Sequence, residues 1–146
     1  VDAMPIKDVV AKTRFCESLW CVPATIDVAA VEIELISTAE RESRLRRALV
    51  DYLVSRETDG QPALDYVIID CPPSLGIMTI NAFVAAGEVL IPLQAEYYAL
   101  EGVGQLLHNI GMIRAYLNNN LHISAVLLTM YDARTRLAAD VEEVAA

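Results

Sequence analysis

Three short, mostly apolar runs alternate along the chain with segments of helical periodicity. The runs are Tyr66–Asp70, Glu88–Pro92 and His122–Met130, and each has the length of one β-strand. Continuous apolar runs of this kind are typical of parallel strands that are buried on both faces. The pattern therefore predicts strands of a parallel sheet.

Apolar residues recur at intervals of three and four between these runs, which predicts helices. In the segment Glu40–Arg56 the apolar positions share one face and four arginines lie on the other, so we expect one solvated side. Further helices are expected over Ile77–Ala86 and Glu101–Asn118, and Thr135 could cap a last one. The apolar stripe of the long helix consists of Val103, Leu106, Leu107, Ile110, Ile113 and Leu117.

The first forty residues give weaker signals. Residues 5–15 favour a short helix, Leu19–Thr25 favours a short strand, and "VAAVEIELIS" is typical of a helix, either whole or broken near Ser37. Strands and helices alternate with short links throughout the chain. The sequence therefore predicts one α/β domain over residues 1–146, an open, mostly parallel sheet with helices on both faces.

Composition favours a cytosolic protein over a membrane or secreted one. The apolar fraction is 55% and the mean hydropathy is +0.38, values that suit strands buried on both faces. No apolar run approaches the roughly 20 residues of a membrane span, and no signal-peptide pattern opens the sequence. The cysteines lack metal-ligand spacing, so we expect reduced and mostly buried thiols. They are Cys16, Cys21 and Cys71.

The charge is unevenly distributed. The net charge of −9 argues against a nucleic-acid surface, which needs a basic footprint. Between Glu57 and Ala133 the only basic side chain is Arg114. A phosphate bound by this stretch must therefore meet backbone N–H groups, a metal ion or cations from elsewhere. The four arginines of Arg41–Arg47 fit a solvated helix face, with a binding patch as the alternative.

The strongest candidate for chemistry is Asp70, in the stretch "DYVIIDCPPSLG". Asp70 ends a predicted strand, and open parallel sheets bind ligands beyond the carboxyl ends of their strands. Mg²⁺ prefers oxygen ligands and keeps several waters, so one carboxylate beside a phosphate is a plausible metal site. The alternative is an aspartate that only caps a turn, and the local pattern does not separate the two.

The residues after Asp70 form a stiff exit from the predicted strand. Pro72 favours an extended conformation at Cys71, and Pro73 extends the stiff segment. Ser74 and Gly76 come just before the next predicted helix. The free N–H groups at the start of that helix could face an anion.

Other motifs are weaker. Gly102 and Gly104 begin like a dinucleotide fingerprint, but Leu107 stands where the third glycine belongs. Those glycines fit a helix start or close packing. His108 and His122 have no partner that would suggest a catalytic pair, so structural or surface roles are expected.

Four segments taken together resemble the ParA family, the Soj-like chromosome-partitioning ATPases with a deviant Walker P-loop. They are "VPATIDVAAVEIEL" (Val22–Leu35), "DYVIIDCPPSLG" (Asp65–Gly76), "EVLIPLQAEYYALEGVGQLL" (Glu88–Leu107) and "LLTMYDARTRLA" (Leu127–Ala138). The resemblance covers the chain from about residue 19 onward. "IIDCPP" alone is moderately specific, whereas "QAEYYALEG" followed by "TMYDART" is highly specific.

The resemblance implies a Mg·ATP-dependent ATPase in which ATP is sandwiched between two subunits of a homodimer. The dimer would bind DNA without sequence preference, and a ParB-type centromere-binding partner would stimulate hydrolysis. Such a protein would be cytoplasmic, associated with the nucleoid and independent of a membrane.

The resemblance also implies roles for particular residues. Asp70 matches the Walker B aspartate, which helps hold Mg²⁺, usually through water. The segment Cys71–Gly76 matches the switch region that senses the γ-phosphate. Gln94–Gly102 matches the segment near the strand mouth and dimer face. Thr129 and Met130 fall where family members approach the nucleotide base.

The sequence departs from the family at the phosphate loop. The family motif K-G-G-x-G-K-[ST]-T precedes the matched segments and is absent from these 146 residues, as are the C-terminal base-binding stretch and basic DNA-binding residues. We therefore expect the central part of such an ATPase, inactive by itself. The alternatives are a degenerate, non-catalytic interaction module and a MinD-like positioning ATPase, although "YYALEG" and "YDART" favour the partitioning family.

Overall fold

The computed structural model of the chain describes residues 4–24, 28–72, 74–94 and 97–130. The chain divides into two units, Val1–Ala85 and Ala86–Ala146. A single domain over residues 1–146 stays a prediction. The last predicted helix, from Thr135, lies outside the described residues.

The first unit is mainly helical. Its elements in chain order are α1 (Ile6–Val9), β1 (Ala11–Lys12), β2 (Trp20–Cys21), α2 (Val28–Leu35), a 3₁₀ turn (Arg41–Ser43), α3 (Arg44–Thr58) and α4 (Ile77–Ala85). The helices predicted over Glu40–Arg56 and Ile77–Ala86 are confirmed. The described core of this unit consists of Leu35, Tyr52, Ala82, Phe83 and Val84.

A small antiparallel hairpin replaces the second half of the helix expected over residues 5–15. Ala11 pairs with Cys21 and Lys12 with Trp20, and the Thr13 N–H donates to Leu19 O at 2.9 Å. That prediction was wrong beyond Val9, because ladder hydrogen bonds to β2 replace the helical ones. The short strand expected within Leu19–Thr25 is present as β2.

Arg56 links the hairpin to α3. The guanidinium carbon lies 5.8 Å from the ring centroids of both Trp20 and Tyr52, a distance suited to cation–π attraction. Arg56 is 7% exposed, and one terminal nitrogen donates to Pro62 O at 2.8 Å. The arginine is therefore part of the packing of this unit.

The predicted strand Tyr66–Asp70 does not form a ladder. No strand in the described residues pairs with it, and Tyr66 and Ile68 are 86% and 91% exposed. The sequence prediction was wrong at this point, because an apolar run becomes a strand only when a neighbouring chain accepts and donates its backbone hydrogen bonds.

The second unit contains the parallel sheet that the sequence predicted. Strands β3 (Glu88–Gln94) and β4 (His122–Thr129) are parallel, with Glu88 opposite His122 and Gln94 opposite Thr129. A register shift follows Val89. Helix α5 (Tyr97–Tyr116) connects them and begins four residues before the predicted start. Both strand predictions and the α/β class are confirmed.

Side chains along β3 alternate between buried and exposed, and the buried ones lie in the core of the second unit. Ile91 and Leu93 are buried while Pro92 and Gln94 are exposed. Ile110, Ile113 and Leu121 complete the described core of this unit. Leu107 and Leu117 of the predicted stripe are each 44% exposed, so only the middle of that stripe is buried.

The cysteines correct another expectation. Cys16, Cys21 and Cys71 are free and exposed, not mostly buried. Cys16 lies in the hairpin turn, Cys21 lies on a two-residue strand, and Cys71 follows the unpaired segment, so none lies in either core. No helix in the part of the chain that the structure describes is long and apolar enough to cross a membrane.

Candidate functional site

Asp70 lies in the segment between α3 and α4 and is exposed. Its carboxylate makes no hydrogen bond or ion pair with any residue that the structure describes. It therefore does not cap a turn in the described part of the chain. The carboxylate oxygens remain available to a ligand that approaches from solvent.

Cys71 follows Asp70, and its thiol lies against the backbone. The Sγ atom is 3.7 Å from Ile69 O, as in a weak S–H···O contact. Loss of solvent around the thiol raises the pKa of Cys71, and the neighbouring Asp70 carboxylate raises it further. Cys71 is therefore a protonated thiol at neutral pH and a poor nucleophile.

The segment after Cys71 is fixed to α4 by a short hydrogen bond. The hydroxyl of Thr79, which is buried, donates to Ser74 O at 2.7 Å. Pro72 is exposed, and Pro73 lies outside the described residues. The exit from the candidate site is thus held against the first turn of α4.

Gly76 marks a close approach between this segment and α2. A Cβ at Gly76 would contact the Glu32 carboxylate, with Cδ 3.1 Å away. A larger residue would therefore require the Glu32 side chain to move. A carboxylate beside the start of α4 is favourable because the N-terminus of a helix carries partial positive charge. An incoming phosphate would meet Glu32 at the place where the sequence predicted an anion site.

Asn81 joins α4 to the start of α3. Its Nδ2 donates to Arg41 O at 2.8 Å and to Ile77 O at 2.9 Å, and its Oδ1 accepts from the Leu45 N–H at 3.1 Å. The side chain of Ser43 does not cap α3, so Asn81 satisfies one of the free N–H groups of that helix. Asn81 is 4% exposed.

The remaining candidate residues lie in the second unit, at the carboxyl ends of its strands. Thr129 pairs with Gln94, and its hydroxyl donates to Leu93 O at 3.4 Å. Met130 is 81% exposed and has a φ of 54°, which is uncommon for a residue other than glycine. Ligands of parallel sheets bind at this end. In the matched segment Gln94–Gly102, positions 95 and 96 lie outside the described residues.

The structure thus gathers Asp70, Cys71, Ser74 and Gly76 into one segment of the first unit, and it places Thr129 and Met130 in the second. Sequence reasoning missed the residues that hold this segment in place. They are Glu32, Thr79 and Asn81. The last two are polar residues inside the otherwise apolar helix "IMTINAFVA", and that exception was a signal in the sequence.

The residues present fit a metal better than they fit phosphates. No group of three metal-ligating side chains occurs among the described residues, so a cation here would keep most of its waters. Mg²⁺ tolerates that arrangement, with Asp70 as a single carboxylate. No basic residue occurs from Glu57 to Gly76 that could pair with a phosphate. Glu32, which lies beside Gly76, is an acid and would repel one.

Parallel strands joined by a helix in the second unit, and the helices of the first, define an α/β protein. Comparison with protein families narrows the class. The AAA domain family matches residues 1–123, and the chain belongs to this family.

Curated relatives confirm the resemblance to Soj and ParA. The chain is 50% identical over 143 residues to the sporulation initiation inhibitor protein Soj of Bacillus subtilis, which covers 98% of this chain and 53% of the relative. It is 46% identical over 139 residues to the chromosome partitioning protein ParA of Myxococcus xanthus, covering 95% and 46%. The chain spans about half the length of the curated relatives it matches.

Solved structures share the fold. A cobyrinic acid a,c-diamide synthase from Mycobacterium smegmatis with bound ADP and magnesium superposes with a TM-score of 0.81 at 39% identity, over 94% of this chain and 52% of that one. A plasmid partition protein from Borrelia burgdorferi superposes with a TM-score of 0.77 at 20% identity, over 97% and 54%. The second likeness bears on the fold alone.

Proposed function

We propose that the chain belongs to a Mg·ATP-dependent partitioning ATPase of the ParA/Soj type. The observation that carries the proposal is the 50% identity to Soj over 98% of the chain. The neighbour solved with ADP and magnesium supports nucleotide and metal as ligands. The cycle we propose comprises ATP-dependent homodimerisation, non-specific DNA binding, and hydrolysis that a ParB-type partner stimulates. The protein would act in the cytoplasm, at the nucleoid.

Asp70 would act as the Walker B carboxylate in this proposal. Asp70 is exposed, and its carboxylate has no partner among the described residues, which suits a metal that is held through water. When bound, Mg²⁺ would neutralise charge on the β- and γ-phosphates. Cys71, Pro72, Pro73, Ser74 and Gly76 would follow the state of the nucleotide as a switch. Thr129 and Met130 would lie on the side of the base.

Hydrogen bonds in the first unit would transmit a movement of the switch segment to neighbouring helices. Thr79 holds Ser74, and Asn81 holds the start of α3, so a movement of the segment after Asp70 would reach α4 and then α3. The Asp70–Gly76 segment contains no basic residue, so the cations that bind the phosphates would come from elsewhere in the protein.

The test compares two aspartates of one segment in the full native chain. Asp70→Ala should abolish Mg²⁺-dependent ATP hydrolysis, measured as phosphate release with and without DNA. Asp65→Ala is the matched control, because Asp65 is also exposed, lies five residues earlier and has no proposed contact with the metal. Its turnover should stay within about twofold of wild type, as for a surface substitution.

The outcome separates the proposal from its alternatives. Wild-type turnover in Asp70→Ala would refute the role of Asp70. If the wild-type protein hydrolyses no ATP and yet binds its partner, the interaction module replaces the ATPase. ATP-dependent binding to lipid vesicles in place of DNA would favour a MinD-like positioning ATPase.

A further inference from the structure

A pocket of about 780 Å³ opens in the first unit between α1, α2, α3 and α4. Apolar side chains from three of these helices form much of its lining. They are Val31 and Leu35 of α2, Leu45 and Ala48 of α3, and Met78 of α4. The volume lies in the range of about 300–1,000 Å³ that is typical of small-molecule sites.

Basic side chains outnumber acidic ones in the lining of this pocket, although the net charge of the chain is −9. Lys7, Arg44 and Arg47 line it, against the single carboxylate of Asp51. Arg47 is occupied by an ion pair with Glu40. Lys7 and Arg44 make no hydrogen bond or ion pair with the residues that the structure describes. Two cations without an ion-pair partner among the described residues, offset in the lining only by the Asp51 carboxylate, therefore lie beside apolar side chains.

Two other polar side chains of the lining, Asn81 and Ser55, already have hydrogen-bond partners. The Asn81 amide makes one hydrogen bond within α4 and two that join α4 to the start of α3. The Ser55 hydroxyl donates to Tyr52 O at 2.8 Å. These side chains form part of the pocket wall, and they do not need a hydrogen bond from a ligand. A charged group of a ligand would therefore bind Lys7 and Arg44, and an apolar group would be buried against the apolar lining.

We propose that this pocket binds a small amphipathic anion, with its apolar body against Leu35, Leu45 and Met78 and its carboxylate beside Arg44 and Lys7. The arrangement suits a free aliphatic carboxylate. A nucleic acid needs a row of cations and no apolar lining, and a pocket of this volume holds only a small part of a protein partner. The site is separate from Asp70, so it does not depend on the proposed ATPase activity.

The test uses decanoate and the full native chain, with binding measured by isothermal titration calorimetry below the micelle concentration of decanoate. Arg44→Gln should weaken binding about two- to fivefold, as expected for a partly exposed ion pair. Arg46→Gln is the matched control, because Arg46 lies on the same helix, is exposed and does not line the pocket. Its affinity should equal that of wild type.

A second pair of variants tests the apolar part. Ala48→Phe fills the pocket from α3 and should weaken decanoate binding by about tenfold or more, since filled space excludes the ligand. Val50→Phe adds the same ring two residues away, outside the pocket lining, and should leave binding unchanged. Circular dichroism and urea unfolding show that each variant is folded. Asp70→Ala should bind decanoate as wild type does.

Four further results test the role of the cations and the existence of the site. Decanol, which lacks the charge, should bind more weakly than decanoate, and equal binding would overturn the role of the cations. Equal loss in Arg44→Gln and Arg46→Gln would mean general electrostatic attraction and would overturn the pocket. Binding to anionic phosphatidylglycerol vesicles without any binding of free decanoate would assign the surface to a membrane instead. No measurable binding of decanoate by the wild-type chain would also overturn the proposal.

Discussion

At Cys71 a thiol lies beside the Asp70 carboxylate, and the negative charge of the carboxylate adds to the effect of lost solvent on the ionisation of the thiol. Cys71 is exposed as a residue, but partial loss of solvent around its thiol and the Asp70 charge both raise the pKa of Cys71. At Cys16 a hydrogen bond with Ser18 lowers the pKa of the thiol. Two exposed cysteines of one chain therefore differ in the fraction of reactive thiolate that they carry at a given pH.

We predict that iodoacetamide alkylates Cys71 more slowly than Cys16 near pH 8, measured by mass spectrometry of the digested protein. A raised pKa means that less thiolate is present below that pKa, so the difference should shrink as the pH rises. Asp70→Asn removes the negative charge, lowers the pKa of Cys71 and should speed its alkylation.

The matched variant is Asp65→Asn, which removes an equal charge five positions earlier and should leave the rate at Cys71 unchanged. Equal acceleration by both variants would mean that total charge, and not the contact with Asp70, sets the reactivity. Faster alkylation of Cys71 than of Cys16 at every pH would contradict the direction of both shifts.

Among the elements, α3 and α4 depend on one buried amide. The Asn81 side chain accepts a hydrogen bond from the Leu45 N–H and donates one to the Arg41 C=O. Asn81 lies 36 residues after Leu45 in the chain. Asn81→Ala would leave both backbone groups without their partner in a buried site. We predict that this substitution lowers the free energy of unfolding by about 2–3 kcal/mol, measured by urea denaturation.

Asn109→Ala provides the comparison for that prediction. Within the described residues Asn109 accepts one exposed hydrogen bond, from Gln105 of the same helix, so its loss should cost less than about 0.5 kcal/mol. Hydrogen exchange at the Leu45 amide adds a local measurement, and it should accelerate in Asn81→Ala only. Unchanged stability and exchange in Asn81→Ala would show that water replaces the amide at no cost.

The sequence predicted the elements that local pattern determines. Helices α3 and α4 and strands β3 and β4 were found close to their expected positions, because periodicity of apolar residues is a property of each segment by itself. Tyr66–Asp70 has an equally strong apolar pattern but pairs with no described strand. Strand β2 was expected, but β1 and its pairing with β2 were missed, because a two-residue strand has no periodicity to detect.

The candidate site was predicted in part for the same reason. Asp70 and the stiff exit to Gly76 are consecutive in the sequence, so their order alone indicated a site. The contact of Glu32 with Gly76 and the bonds of Asn81 with Arg41 join residues about forty positions apart. Such contacts follow from how helices pack, which a pattern within one segment does not contain.

For the whole molecule, the distribution of charge limits what these residues can bind. Eight of the eleven basic residues precede Glu57, whereas the matched switch segment contains none. The carboxylates of Asp70 and Glu32 are both in the first unit, and Glu32 lies against the start of α4. A triphosphate adds several negative charges, and one Mg²⁺ offsets only two of them.

We therefore predict that the 146-residue chain by itself binds Mg·ATP with a Kd of about 1 mM or weaker, which corresponds to about −4 kcal/mol. Isothermal titration calorimetry would measure this, with the full native chain alongside. Tighter binding by the full chain would place the phosphate-binding groups outside these residues. The Asp70→Ala variant of the full chain should lose the effect of Mg²⁺ on that affinity. Micromolar binding by the 146 residues alone would mean that groups within these residues hold the phosphates, and a separate phosphate loop would then not be required.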